Sequence, residues 1–210
     1  MTTTARPRIA VLDYGIGNLR SAERALVKMG ADAVLVTEAD QARGADGVVL
    51  PGVGAFGPCA EALRNSGLES VALRALEAQT PFLGICVGLQ LLYSGSQEDP
   101  TAKGLGAFPG AVIGLPEGEK RPQMQWNRLV ATRGDSVLMS GDADGSWVYF
   151  VHSYAPVPGP ETVATCDYGG PVVAAVESGP IWGTQFHPEK SADAGLAFLG
   201  RFVAACAKEN

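Results

Sequence analysis

The first half of the chain alternates short apolar runs with amphipathic stretches, and that rhythm leaves few folds open. Residues 8–13, 33–37, 47–50 and 82–85 each read as a buried strand. Between them, residues 18–29 show helical spacing, with Leu19, Ala22, Ala25, Leu26 and Met29 on one face and Gly30 as the closing residue. Residues 59–65 and 68–78 read as further helices. Near-continuous apolar strands separated by helices predict an α/β fold: an open, mostly parallel sheet with helices on both faces. From residue 107 to 176 the texture changes. Pieces at 111–115, 128–131, 147–151, 162–168 and 172–177 are separated by Gly, Pro and Asp, and predict an antiparallel section in the C-terminal half. A last helix is expected over 192–207, and the first residues are expected to fray.

The fourth strand runs straight into chemistry. In Pro81-Phe82-Leu83-Gly84-Ile85-Cys86-Val87-Gly88-Leu89-Gln90, a cysteine falls between an apolar strand and an apolar helix that starts at Val87 and runs to Tyr93. This is the G-x-nucleophile-x-G elbow, with a thiol in place of a hydroxyl. The flanking glycines permit a sharp turn and close approach of substrate. A helix N-terminus favours the thiolate, which is the reactive form. Against this stands the ordinary role of a free cysteine, a small inert core residue.

A cysteine nucleophile needs a base, and the base needs a third group to fix its tautomer. About a hundred residues on, the strand-like Ile181-Trp182-Gly183-Thr184-Gln185-Phe186 ends in His187-Pro188-Glu189. In an extended segment residues i and i+2 point the same way, about 7 Å apart. Pro188 is expected to hold the segment extended and block helix. His187 and Glu189 then present an imidazole and a carboxylate together. The alternative is a surface turn without chemistry, but the chain holds only two histidines and one stands here.

Composition removes other classes of function. The net charge of −6 argues against a nucleic-acid scaffold. No apolar run is long enough to span a membrane, and residues 1–8 lack the apolar core of a signal peptide. Cys59, Cys86, Cys166 and Cys206 are scattered, which suits neither a zinc site nor a disulfide framework, so no metal and no cofactor are expected. A reducing cytoplasm is the simplest home. The length fits one domain over residues 1–210.

Two glycine-rich loops flank the elbow. Pro51-Gly52-Val53-Gly54-Ala55-Phe56-Gly57 follows the third strand and is expected at the same sheet edge as Cys86. Its backbone N–H groups at Gly52 and Val53, with that of Val87, are candidates to hold an oxyanion; a tight turn that merely needs glycine is the other reading. Asp13-Tyr14-Gly15-Ile16-Gly17-Asn18 lacks the full phosphate-loop signatures and reads as a loop that meets a partner.

With these motifs in view the chain resembles the class I, or triad, glutamine amidotransferases nearly from end to end. Pro51-Gly52-Val53-Gly54-Ala55-Phe56, Tyr149-Phe150-Val151-His152-Ser153-Tyr154 and Glu189-Lys190-Ser191 narrow the likeness to the glutaminase subunits of imidazole glycerol phosphate synthase, from histidine biosynthesis. The resemblance implies a glutamine amidotransferase domain that hydrolyses L-glutamine, with Cys86 as nucleophile, His187 as base and acid, and Glu189 as orienting carboxylate. It implies that Gly54, Gln90, Glu98, His152, Ser153 and Tyr154 line the glutamine pocket. It implies a heterodimer with a (β/α)8-barrel cyclase, faced by Asn18, Trp126, Tyr149 and Lys190 around an ammonia exit. A glutaminase for another synthase (vitamin B6 or anthranilate) and a non-catalytic regulatory module on the same scaffold are the rivals. One departure stands out. The family pattern Pro-His-Met-Gly-Trp-Asn is here Pro122-Gln123-Met124-Gln125-Trp126-Asn127. Gln125 becomes costly if a positive φ is required there, Gln123 cannot titrate, and the interface is where consequences are expected.

Overall fold

The computed structural model describes residues 5–207; the leading segment expected to fray, residues 1–4, lies outside them. The parallel half is as the apolar rhythm requires. Strands β1 (Arg8–Leu12), β2 (Asp32–Val36), β3 (Gly47–Gly52) and β4 (Phe82–Cys86) alternate with helices α1 (Leu19–Lys28), α2 (Phe56–Asn65) and α3 (Glu69–Glu77). Every residue of β3 and of β4 is buried, which is why neither shows a polar alternation. Gly30 closes α1 with φ of 101°, a conformation glycine adopts without strain.

Beyond β4 come α4 (Val87–Gln90), β5 (Val112–Gly114), β6 (Gln123–Arg128), β7 (Val130–Ala131), β8 (Trp147–His152) and β9 (Tyr154–Pro156). Then follow β10 (Thr162–Asp167), β11 (Pro171–Ser178), β12 (Ile181–Thr184) and α5 (Ala192–Cys206). The main sheet has the order β2-β1-β3-β4-β12-β11-β10-β7. It is parallel from β2 to β12 and antiparallel from β12 to β7. The pairs β5–β9 and β6–β8 form two small antiparallel ribbons. The expected architecture is therefore observed. None of the helices among the described residues is long and apolar enough to cross a membrane.

Three local expectations are corrected. The elbow helix ends at Gln90 instead of reaching Tyr93. The carbonyls of Leu91, Leu92 and Ser94 accept hydrogen bonds from Leu105, Phe108 and Gly104, so a distant loop satisfies groups that a longer helix would have used. Pro188 does not keep its segment extended: Pro188–Lys190 is a 3₁₀ turn, with proline in the first turn, where its missing N–H costs nothing. Strand β6 was not expected at all. Its pattern is inverted, with polar Gln123 wholly buried and Met124 and Trp126 turned to solvent.

Candidate active site

The site forms where β1, β3, β4 and β12 end side by side. Gly52 pairs with Cys86, and Thr184 pairs with Ile85, so the glycine loop, the elbow and the approach to His187 leave the sheet at one edge. Cys86 has φ of 56° and ψ of −111°, a backbone state that a side-chain-bearing residue adopts only when its surroundings impose it. Packing does so here. A Cβ on Gly88 would stand 1.8 Å from the Leu50 carbonyl oxygen, and one on Gly84 would stand 2.6 Å from that of Gly88. Neither glycine has a positive φ among the described residues, so they are needed for close backbone approach and not for turning. A four-residue helix carries little dipole, which leaves the neighbouring side chains to set the charge of the site.

His187 Nδ1 donates to Glu189 Oε1 at 2.8 Å, and both side chains are almost wholly buried. The 3₁₀ turn thus achieves the pairing expected of an extended segment. Burial alone would lower the His187 pKa, but the neighbouring Cys86 and Glu189 outweigh it and push the value up to about 9. Nε2 is buried and makes no hydrogen bond, His187 lines the cavity, and Cys86 is close enough to bias the protonation of the ring. Cys86 Sγ itself receives the Gln185 Nε2 amide at 3.7 Å.

The cavity beside the thiol has a volume of about 250 Å³. Val53, Gly54, Val87 and Gln90 line one side, His152, Ser153 and Tyr154 the other, and Glu98 and Pro122 complete it. Gly52 does not reach it; a Cβ there would meet Gly88 N at 2.8 Å, so this residue is a spacer against the elbow. Glu98 accepts the Phe56 N–H at 2.8 Å, which fixes the carboxylate at the start of α2. Gln90 Nε2 donates to the Tyr154 carbonyl at 2.9 Å and ties the two walls together.

His152 has both ring nitrogens occupied, 2.9 Å from the Tyr154 carbonyl and 2.9 Å from the Gln123 amide. Burial drives its pKa down to about 4, so it is a neutral wall. Gln123 therefore bears on the cavity wall, where an effect on the interface had been expected. Gln125 lies in regular strand and is not among the described residues of positive φ, so the anticipated backbone cost does not arise.

Of the four residues expected to face a partner, Lys190 and Trp126 are exposed, and Tyr149 is half-buried with its ring 6.1 Å from that of Trp126. Asn18 does something else. It occupies the N-cap position of α1 without capping it, and its amide donates to Glu189 Oε1 at 3.2 Å. Sequence reasoning missed Gln185, Ser191, Met124 and Trp147. Ser191 Oγ donates to the His187 carbonyl at 2.7 Å and accepts the Tyr149 N–H at 2.9 Å, stapling β8 to the catalytic turn. The detectable signal for Gln185 was a polar residue in an otherwise apolar strand just before His187.

A buried thiol on a strained elbow, an imidazole paired to a carboxylate and a small polar cavity have the arrangement of a nucleophile, a base and its orienting group. Comparison with known proteins agrees. A sequence model of the family described as Glutamine amidotransferase class-I matches residues 10–205. The imidazole glycerol phosphate synthase subunit HisH of Methanothermobacter thermautotrophicus is 49% identical over 196 residues, covering 93% of this chain and 97% of the relative. That of Streptomyces coelicolor is 45% identical over 208 residues, covering 93% and 92%. Among solved structures, one titled as a glutamine amidotransferase superposes with a TM-score of 0.75 at 20% identity, covering 95% and 99% of the two chains. PurLQS of Thermotoga maritima gives 0.72 at 23%, covering 97% and 98%; both show the fold alone. The chain belongs to the class I glutamine amidotransferases, an enzyme family, and within them to the HisH subunits of imidazole glycerol phosphate synthase.

Proposed function

We propose that Cys86, His187 and Glu189 hydrolyse the side-chain amide of L-glutamine and that the ammonia passes to a cyclase subunit of the same synthase. The observation that carries this reading is the buried His187–Glu189 pair, with its Nε2 unbonded, in the wall of the cavity that Cys86 also lines. The raised His187 pKa makes the imidazole a ready acceptor for the Cys86 thiol proton, and that transfer gives the thiolate. The thiolate attacks the amide carbon, and the carbonyl becomes an oxyanion. The N–H groups of Val53 and Val87 are its donors, each worth about 3–4 kcal/mol in the transition state. His187 gives its proton to the amide nitrogen, the C–N bond breaks, and ammonia leaves a γ-glutamyl thioester. Water then attacks the thioester, His187 takes its proton, and glutamate departs from the restored thiol. Glu189 holds the imidazole in the tautomer that presents Nε2. Glu98 is placed to meet the substrate ammonium group, and Gly54, Gln90, Ser153 and Tyr154 to enclose the rest.

Ammonia released into water at neutral pH is protonated and no longer nucleophilic, so a partner must cover its exit. The β6–β8 ribbon supports a docking face there. Met124, Trp126 and Trp147 are exposed on the side of the ribbon that also carries Tyr149, and exposed Lys190 ends the 3₁₀ turn that follows His187. The proposed assembly is a cytoplasmic heterodimer with a barrel-shaped cyclase. The test is Cys86→Ala in that complex. We expect loss of glutamine-dependent synthesis with ammonia-dependent synthesis intact. Retained glutamine use would refute the nucleophile, because no other thiol among the described residues lines the cavity.

A further inference from the structure

The oxyanion loop rests on two buried donors that the amide-cleaving mechanism does not use. The Tyr14 hydroxyl donates to the Pro51 carbonyl at 2.7 Å. The Cys59 thiol donates to the Val53 carbonyl at 3.2 Å, a short contact for sulfur. Tyr14 leaves the end of β1 and Cys59 comes from the second turn of α2, so two separate elements converge behind one short loop. Pro51 and Val53 flank Gly52, and the Tyr14 hydroxyl lies 3.0 Å from where a Gly52 Cβ would stand. The peptide between Gly52 and Val53 carries the Val53 N–H, and the carbonyls on both sides of it are gripped from behind.

We infer that Tyr14 and Cys59 are positioning residues that form a two-point clamp on the oxyanion loop, fixing the Pro51–Gly52 and Val53–Gly54 peptides so that the Val53 N–H is aimed at the cavity. The inference rests on the proposed amidase reading of the site. Three observations support it. Tyr14 is 5% exposed and Cys59 fully buried, so neither side chain has solvent as an alternative partner. Burial, chiefly, pushes the acidity of both groups away from the physiological range, so both keep the proton they donate. The gripped groups are backbone carbonyls, which require a buried donor in any case, so the clamp also satisfies polar atoms that would otherwise be costly. An alanine at position 59 would leave the Val53 carbonyl ungripped.

A positioning role predicts a loss in turnover without a loss in binding, because a misaimed donor weakens the transition state more than the ground state. In the complex with the cyclase subunit, Tyr14→Phe should lower kcat for glutamine roughly 10-fold and Cys59→Ala roughly 3-fold, a fraction of the 10²–10³ lost with a whole oxyanion donor. KM for glutamine should stay within about twofold. Cys59→Ser should recover most of the loss, since a hydroxyl donates where alanine cannot. Ammonia-dependent synthesis should be unchanged in all three. Unchanged kcat in both Tyr14→Phe and Cys59→Ala would overturn the clamp. So would a serine variant as slow as alanine, or a parallel fall in ammonia-dependent synthesis, which would mark general damage. Cys86→Ala measured alongside separates the two readings. If it still used glutamine, the amidase site itself would be misassigned; if it were inactive while the clamp variants were normal, only the clamp would fall.

Discussion

The two walls of the cavity hold one histidine each and treat it in opposite ways. On the β4–β12 side, His187 faces a thiol and a carboxylate, and its pKa is pulled up to about 9. On the β8–β9 side, His152 is enclosed between a carbonyl and an amide, and its pKa falls to about 4. The side chains are of one type and border one cavity. What differs is whether the surrounding groups favour the cation strongly enough to offset desolvation. In the proposed mechanism the parallel side moves protons and the antiparallel side supplies shape.

That contrast can be broken most directly by removing each ring. His187→Asn should lower kcat for glutamine by about 10⁴-fold or more, as for loss of a triad base. His152→Asn should cost less than about tenfold in kcat and act mainly on KM, since a wall contributes binding shared by ground and transition states. Steady-state glutaminase assays on the complex decide it, and comparable kcat losses would erase the distinction between the walls.

The same contrast predicts a shape for stability against pH. A raised histidine pKa gives the folded state an advantage that is full below about 6.5 and is lost as pH rises through about 9. A lowered one has the reverse sense: below about pH 6.5 the unfolded chain takes up a proton that buried His152 refuses until about pH 4, so stability falls on acidification. Each limb should amount to about 1–3 kcal/mol. Urea midpoints at acid, neutral and alkaline pH should show Glu189→Gln flattening the alkaline limb and His152→Asn the acid one. A limb left unchanged by its variant would refute the corresponding assignment.

The smallest effects are expected on the outer side of the β6–β8 ribbon. Trp126→Ala should weaken association with the cyclase about tenfold, and Met124→Ala somewhat less, with melting temperature of the chain unchanged. Calorimetric titration would measure it. An unaltered affinity would place the docking face elsewhere.

Much of the geometry on the β4–β12 side was legible in the sequence because its demands are local. An elbow needs a nucleophile between two small residues on a strand-to-helix turn, and Gly84, Cys86 and Gly88 announce it. His187 and Glu189 lie two residues apart, so the pair could be read even though the intervening Pro188 starts a 3₁₀ turn instead of extending the chain. The wall was read less well because its logic is long-range. Gln123 is buried only because it meets His152, 29 positions away. Asn18 carries the chemistry of a helix cap, yet spends its amide on Glu189, 171 positions distant. Strand β6 hides its polar Gln123 and shows its apolar Met124 and Trp126, the reverse of the alternation by which a half-buried strand is recognised. Gln185 and Ser191 act through pairs of hydrogen bonds that no periodicity encodes.

The exposed ribbon has a practical side. Met124, Trp147 and Trp126 are 63%, 56% and 45% exposed, and they share one side of a narrow two-stranded strip. Kept alone at high concentration, the polypeptide offers that greasy strip to other copies of itself, with only a net charge of −6 to hold them apart. Co-production with its intended companion is therefore the route to a well-behaved preparation, and storage of the lone chain calls for dilution and low ionic strength, where like-charge repulsion reaches furthest.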